Sequence, residues 1–225
     1  SRSGYCVHTV PLLCKFLKEL GYDANLMPGY MYLGAINNFL RTETHVTIVV
    51  KLDNRNYLVE SSTLRVINEP VEIIENVIQK KFLGSYRTIV DPNDPEYFIF
   101  QRSKNFKEEK YEWVPQLKFK LEFKDYEYFR KMNDDVKTIE HPQVCNRSVC
   151  YRYLDFNHTI LLLGKKFIET EYTEFDEIRK ETLVTHEECF EIIKDKFGII
   201  VDPSYKFNDL FTDELIEEIK KHFSA

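Results

Sequence analysis

The chain has 225 residues, of which 43% are hydrophobic and 30% are charged, a balance that is typical of a globular protein. Its formal net charge of −6 argues against general nucleic-acid binding, because that function requires a basic surface. The apolar runs are too short to span a bilayer, and the 7 glycines form no phosphate-binding loop. From the charge and the short apolar runs, we expect neither a nucleic acid nor a membrane as a partner.

The 5 cysteines indicate the redox setting of the protein. They lie at positions 6, 14, 145, 150 and 189, an odd number in which no two have the spacing of a zinc motif. This usage argues against a disulfide framework and against a structural metal. Because the sequence also starts without a secretory signal pattern, it predicts a cytoplasmic protein that needs no metal.

The first 60 residues predict one helix followed by strands. Apolar residues at helical spacing predict a helix over residues 7–20, and Gly21 can end it. Short runs rich in β-branched and aromatic residues predict strands over residues 25–33, 44–52 and 57–59. The polar run between the last two strands predicts a hairpin turn at residues 53–56.

The rest of the chain predicts a mixture of strands and helices. Helices are predicted over residues 71–81, 125–133, 185–197 and 212–223. Strands are predicted over residues 96–101, 117–123, 148–155, 158–163 and 166–170. We therefore expect an α+β fold, with a soft domain boundary near residues 134–144.

Cys6 is the candidate nucleophile. It follows Gly4 and Tyr5 at the turn into the first predicted helix, where the partial positive charge of a helix N-terminus stabilises a thiolate. A nucleophile also requires a base and a group that orients the base. His45 begins one strand of the predicted hairpin and Glu60 ends the other, so in an antiparallel pair their side chains can meet.

The order of these motifs resembles that of the arylamine N-acetyltransferases. The chain has RSGYC at residues 2–6, LMPGYMY at 26–32, a strand that begins with His45, and DNRNYLVE at 53–60. In that family an Arg-Gly-Gly-aromatic-Cys motif supplies the nucleophile, a Gly-Gly-Tyr strand follows, and a strand-leading His precedes a hairpin that ends in Asp. Cys6 lies 39 positions before His45, and His45 lies 15 positions before Glu60, which fits this order.

The resemblance implies a papain-like cysteine superfold. The expected architecture has a truncated helical part that carries the nucleophile, over residues 1–22. It continues with a β-barrel-like middle domain over residues 23–134, which holds the His and the Glu and ends in a bridging helix. A C-terminal α/β lid over residues 135–225 completes it.

The resemblance also implies a ping-pong acetyl transfer. Acetyl-coenzyme A, as a co-substrate, would acetylate Cys6, and an arylamine or hydrazine nitrogen would then take the acetyl group. His45 would move protons in both halves of the reaction, and Glu60 would orient it and stabilise its cation. The candidate substrate-binding residues are Tyr5, Gly29 and Tyr30.

The chain departs from the family pattern at the acid that orients the base and in the segment that follows this acid. Glu60 stands where the family has Asp, and the small, Gly-rich run that follows that acid is here SSTL at residues 61–64. Two alternatives stay open: a catalytically degenerate family member that acts as a binding protein, and another papain-like thiol hydrolase or acyltransferase. The first is favoured if the Glu60 carboxylate fails to reach His45 or if no cleft opens beside Cys6. The second is favoured by a long open groove suited to peptides.

Overall fold

The computed structural model describes residues 4–34, 36–62, 67–103, 111–138, 148–173 and 177–207. These residues divide into two compact units, one that runs to Thr138 and one that starts after it. The three-domain division, with boundaries after residues 22 and 134, stays a prediction. The helix predicted over residues 212–223 lies outside the described residues.

Strands dominate the first unit. Its described helices are α1 (Cys6–Glu19) and α2 (Tyr126–Thr138). Its described strands are β1 (Asp23–Leu33), β2 (Asn38–Phe39), β3 (His45–Leu52), β4 (Arg55–Val59), β5 (Val71–Glu72), β6 (Gln79–Lys81), β7 (Gly84–Asp91), β8 (Asp94–Ser103) and β9 (Trp113–Phe119). The predicted hairpin of β3 and β4 is confirmed, with Asp53 and Asn54 at the left-handed φ values of its turn.

These strands form one sheet in the order β5-β4-β3-β1-β9-β8-β7-β6, with β2 beside β1. β1 changes its partner along its length, because residues 23–29 pair with β3 whereas Tyr30 and Met31 pair with β9. β1 thus connects the β5-β4-β3 half of the sheet to the β9-β8-β7-β6 half, and the sheet as a whole forms a nearly closed barrel. The expected β-barrel-like α+β fold is therefore confirmed.

A side chain joins the two edge strands of this sheet, β5 and β6. Gln79 on β6 accepts from the Glu72 N–H through Oε1 (2.8 Å) and donates through Nε2 to the Glu72 carbonyl (2.7 Å). It thus supplies the two hydrogen bonds that a neighbouring strand would give. The helix predicted over residues 71–81 is wrong, because the segment holds β5, Asn76 at a φ of +56°, and β6. Pairing with β4 and β7 outweighs the helical spacing of its apolar residues.

One face of α1 packs on the sheet. Val7, Val10 and Cys14 recur at helical spacing and are buried. They lie in one core cluster with side chains of β1 and β3, namely Ala24, Val46, Ile48 and Val50. Burying a side chain such as valine contributes roughly 1.5–3 kcal/mol. This packing carries Cys6, the first residue of α1, to the start of β3.

The second unit is an antiparallel meander with helical segments. Its strands pair in the order β10 (Val149–Tyr153), β11 (His158–Leu163), β12 (Lys166–Tyr172) and β13 (Glu177–Leu183). Helix α3 (His186–Ile192) begins with a capping box, in which Thr185 Oγ1 accepts from the Glu188 N–H and the Glu188 carboxylate accepts from the Thr185 N–H. A π-helical turn (Ile193–Phe197) follows and ends at Gly198. The helix start predicted at residue 185 is therefore confirmed.

Candidate active site

Cys6 lies at the N-terminus of α1. The preceding residue, Tyr5, has an extended backbone, so the chain turns into the helix directly before the thiol. The Cys6 sulfur lies 3.9 Å from the Thr44 carbonyl oxygen, and the Val46 amide is directed at it. The half-buried thiol thus lies between the helix N-terminus and the backbone on either side of His45.

His45 and Glu60 form a buried pair across the hairpin of β3 and β4. His45 is the first residue of β3, and Glu60 directly follows the last residue of β4. The distance between His45 Nε2 and Glu60 Oε2 is 2.6 Å, and the two side chains are only 5% and 4% exposed. Glu60 therefore reaches His45 with its longer side chain, so the first of the two conditions that favour the degenerate alternative is not met.

The electrostatics of the cluster favour a thiolate beside an imidazolium. Because Glu60 occupies Nε2, the ring nitrogen of His45 that is left for Cys6 is Nδ1. Burial lowers the pKa of His45, but the charge of Glu60 and the hydrogen bonds with Cys6 and Glu60 outweigh burial and raise this pKa to about 10. Burial raises the pKa of the Cys6 thiol, but the hydrogen bond and charge of His45 and the Val46 amide produce a net lowering. A thiolate is the nucleophilic form of cysteine.

The second oxygen of the Glu60 carboxylate is held by the two residues that follow it. Oε1 accepts from the Ser61 N–H (2.9 Å), the Ser62 N–H (2.8 Å) and the Ser62 hydroxyl (2.9 Å). Burial raises the pKa of Glu60, but the charge and hydrogen bond of His45 and the two Ser62 donors lower it overall. The contacts of these serines were not predicted from the sequence. The signal that could have revealed them is the pair of short hydroxyl side chains directly after an acid.

The candidate substrate-binding residues lie at different places around this cluster. Gly29 on β1 lies directly opposite His45 on β3. Tyr30 packs edge-on against Tyr97 of β8, with ring centroids 6.0 Å apart, whereas Tyr5 packs against His8 of α1. Burial, followed by a hydrogen bond with Tyr97, raises the pKa of Tyr30 to about 12. A substrate-binding role for Tyr5, Gly29 and Tyr30 stays a prediction.

A contact between α2 and the segment before His45 was not expected from the sequence. The Tyr128 hydroxyl on α2 donates to the Glu43 carboxylate, two residues ahead of His45. Burial and the hydrogen bond and charge of Glu43 raise the pKa of Tyr128. The Lys124 N–H, just before α2, donates to the Leu26 carbonyl of β1 (3.0 Å). These two contacts connect α2 and the residues just before it to β1 and to the segment that leads into β3.

In the described ranges, no group of three or more His, Cys, Asp or Glu side chains is arranged to hold a metal ion. None of the described helices is both long and apolar enough to cross a membrane. The described cysteines are free thiols.

Known proteins that resemble this chain point to one family. The family model described as N-acetyltransferase matches residues 1–206. A relative, the pineal gland isozyme NAT-3 of arylamine N-acetyltransferase from Gallus gallus, is 23% identical over 218 residues. That match covers 91% of this chain and 74% of the relative.

Solved structures of the same kind of enzyme share the fold. An arylamine N-acetyltransferase from Bacillus cereus, described as having a unique Cys-His-Glu catalytic triad, matches with a TM-score of 0.68 at 20% identity, over 88% of this chain and 74% of its own. An arylamine N-acetyltransferase from Mycobacterium marinum, in complex with CoA, matches with a TM-score of 0.72 at 18% identity, over 88% of this chain and 70% of its own. The papain-like fold expected from the sequence is therefore confirmed.

Proposed function

Because the chain belongs to the arylamine N-acetyltransferase family, whose members are acyltransferase enzymes, we propose that it transfers an acetyl group from acetyl-coenzyme A to an arylamine or hydrazine nitrogen. The acetyl group passes through Cys6 in a ping-pong reaction. His45 carries the protons, and Glu60 orients His45. No metal takes part in this scheme.

One observation carries the proposal. The buried Glu60 carboxylate lies 2.6 Å from His45, and His45 in turn contacts the thiol at the start of α1. A carboxylate that orients a base, when that base is itself hydrogen-bonded to a thiol, is the arrangement that activates cysteine for covalent catalysis. The pKa of His45 is raised and that of Cys6 is lowered, which supports a resting ion pair at neutral pH.

In the first half of the reaction, the Cys6 thiolate attacks the acetyl carbonyl carbon of acetyl-coenzyme A. A bond forms between that carbon and the Cys6 sulfur, and the bond to the sulfur of coenzyme A breaks. The departing thiolate takes the proton of the His45 imidazolium and leaves as coenzyme A. The products of this half are the acetyl thioester of Cys6 and a neutral His45.

In the second half, the amine nitrogen attacks the carbonyl carbon of the Cys6 thioester. Neutral His45 accepts the proton that the nitrogen loses, while the bond between the acetyl carbon and the Cys6 sulfur breaks. The acetylated amine leaves, and the thiolate and imidazolium are restored. Glu60 stays ionised throughout and stabilises the imidazolium at both ends of the cycle.

The relatives support the choice of donor and acceptor. The Mycobacterium marinum structure is a complex with CoA, and the Gallus gallus relative is named for arylamine acetylation. Tyr5, Gly29 and Tyr30 are proposed as substrate-binding residues, with Tyr30 and Tyr5 offering aromatic faces to a ring. The location remains as predicted from cysteine usage, a reducing cytoplasm.

The test is intact-mass analysis after incubation with acetyl-coenzyme A. We expect one acetyl group on the protein, located at Cys6 by peptide mapping, that is discharged when a hydrazine or arylamine is added. Cys6→Ser should show no such adduct. If the wild-type protein is not acetylated under conditions that acetylate a known family member, the proposal is wrong.

The thiol-hydrolase alternative predicts a different result in the same experiment. A hydrolase would lose its acetyl group to water at the same rate with and without the amine. Transfer to an amine would instead yield a stoichiometric acetylated product that is measurable by chromatography.

A further inference from the structure

The two oxygens of the Glu60 carboxylate have different partners. Oε2 faces His45 Nε2 at 2.6 Å. Oε1 accepts three hydrogen bonds, from the N–H groups of Ser61 and Ser62 and from the Ser62 hydroxyl, all between 2.8 and 2.9 Å. Both oxygens of this buried carboxylate therefore have polar partners, which a buried charge requires.

A glutamate in this position needs such support more than an aspartate does. The glutamate side chain has one torsion more than that of aspartate. In both residues, rotation about the last bond is broad because that bond joins sp³ and sp² carbons. Unless Oε1 is held, the carboxylate plane can rotate and Oε2 leaves the line to His45. The three donors to Oε1 remove this freedom, so they decide where Oε2 lies.

We propose that Ser62 is a positioning residue, whose hydroxyl holds Glu60 Oε1 so that a glutamate can orient His45. This inference rests on the proposed function, because it concerns the orienting acid of the same site. Of the three donors to Oε1, the Ser62 hydroxyl is the only side chain, and the other two are backbone N–H groups that any residue supplies. Position 62 therefore contributes to the site through its residue type.

The effect of the hydroxyl passes along the cluster to the thiol. The two Ser62 donors favour the ionised form of Glu60, and ionised Glu60 favours the protonated form of His45. Protonated His45 in turn favours the Cys6 thiolate. A change at Ser62, which is not a reacting group, should therefore appear in the titration of Cys6.

Ser61 provides the matched control. It is the neighbouring serine, its side chain is exposed, and it contacts Glu60 through its backbone N–H. Ser61→Ala makes the same chemical change as Ser62→Ala but keeps every donor to Oε1. A difference between the two variants reports the Ser62 hydroxyl and not a general effect of removing serine from this turn.

The experiment is the pH profile of Cys6 alkylation by iodoacetamide, followed by peptide-resolved mass spectrometry. We expect Ser62→Ala to raise the apparent pKa of Cys6 and to slow its alkylation near neutral pH by at least about three-fold. Ser62→Gly, which also lacks the hydroxyl, should behave in the same way. Ser61→Ala should follow the wild type, and Ser62→Thr, which keeps a hydroxyl, should recover most of the rate.

A coupled variant separates this inference from the proposed function. Once Glu60→Gln has removed the charge, adding Ser62→Ala should cause little further change, because both substitutions act on one interaction. If the folded Ser62→Ala and Ser62→Gly proteins keep the wild-type profile while Glu60→Gln shifts it, the role of Ser62 is refuted and the triad stands. If Glu60→Gln also keeps the wild-type profile, the proposed triad itself is wrong.

Discussion

Gly29 and His45 lie directly opposite each other in the β1–β3 pair, at the end of that pairing and directly before the β1 residues that pair with β9. A Cβ atom at Gly29 would lie 2.7 Å from Leu117 Cδ1 and 3.2 Å from the Lys118 carbonyl oxygen of β9. Glycine at this position therefore allows β9 to approach β1 directly behind the candidate base.

The substitution Gly29→Ala should destabilise the protein by about 1–3 kcal/mol, because the new methyl group must displace the buried Leu117 or the β9 backbone. The measurement is urea-induced unfolding. Gly34→Ala is the control, since a Cβ there meets nothing within 4 Å, and its change should stay within about 0.5 kcal/mol. Equal stability of both variants would contradict the close packing at Gly29.

The Glu60→Gln variant should keep the fold but react slowly with iodoacetamide near neutral pH. Glutamine keeps the size of the side chain and removes the charge that holds the pKa of His45 high. Without a protonated His45 the pKa of Cys6 rises, so less thiolate is present. We expect a loss of at least about ten-fold in the Cys6 alkylation rate. Equal rates in the two folded proteins would remove Glu60 from the mechanism.

The His45–Glu60 pair should stabilise the fold within a defined pH window. The pKa of His45 is raised from 6.5 to about 10, so its contribution is fully present below pH 6.5 and is lost as the pH rises through about 10. The pKa of Glu60 is lowered from 4.5, so its contribution is fully present above pH 4.5 and is lost as the pH falls through the lowered value.

The measurement is the difference in unfolding free energy between the wild type and Glu60→Gln, at several pH values from about 5 to about 10. We expect this difference to be largest between pH 4.5 and 6.5 and to shrink toward alkaline pH. The control is Glu171→Gln, which removes an exposed carboxylate that lies 3.7 Å from His158. An exposed pair contributes little, so a similar pH dependence in the control would argue against a special role of the buried pair.

Gln79→Ala should weaken the junction between β5 and β6. The variant loses two hydrogen bonds and leaves the N–H and carbonyl of Glu72 without the side chain that pairs them. We expect a destabilisation of about 1–3 kcal/mol in urea unfolding. Gln116→Ala is a suitable comparison, because its side chain makes a single hydrogen bond to the nearby Val114 carbonyl. A loss no larger than that of Gln116→Ala would show that Gln79 does not join the edges.

Parts of the fold and of the candidate site could be predicted from short stretches of the sequence. Cys6, His45 and Glu60 could be singled out as candidates because nucleophile, base and acid chemistry restricts the residue types, and because a hairpin brings its strand ends together. Helix α1 and the β3–β4 hairpin are local structures, whose periodicity and turn residues are visible in short windows.

Features that depend on distant partners could not be predicted in this way. Residues 71–81 have helical spacing, but their conformation is decided by pairing with β4 and β7. The proposed role of Ser62 depends on which oxygen of Glu60 faces away from His45, and the spacing of residues along the sequence does not indicate this. The contact between Tyr128 and Glu43 joins residues 85 positions apart, so it is visible only in the folded chain.

The division of the candidate triad between α1 and the barrel has a consequence for partial unfolding. His45 and Glu60 belong to one hairpin, whereas Cys6 joins them only while α1 stays docked on its apolar face. If α1 detaches as a cooperative unit before the barrel opens, the reactivity of the Cys6 thiol disappears while the sheet persists. The reactivity of the Cys6 thiol would then report whether α1 is docked, and it would be lost at a lower denaturant concentration than the one that opens the barrel.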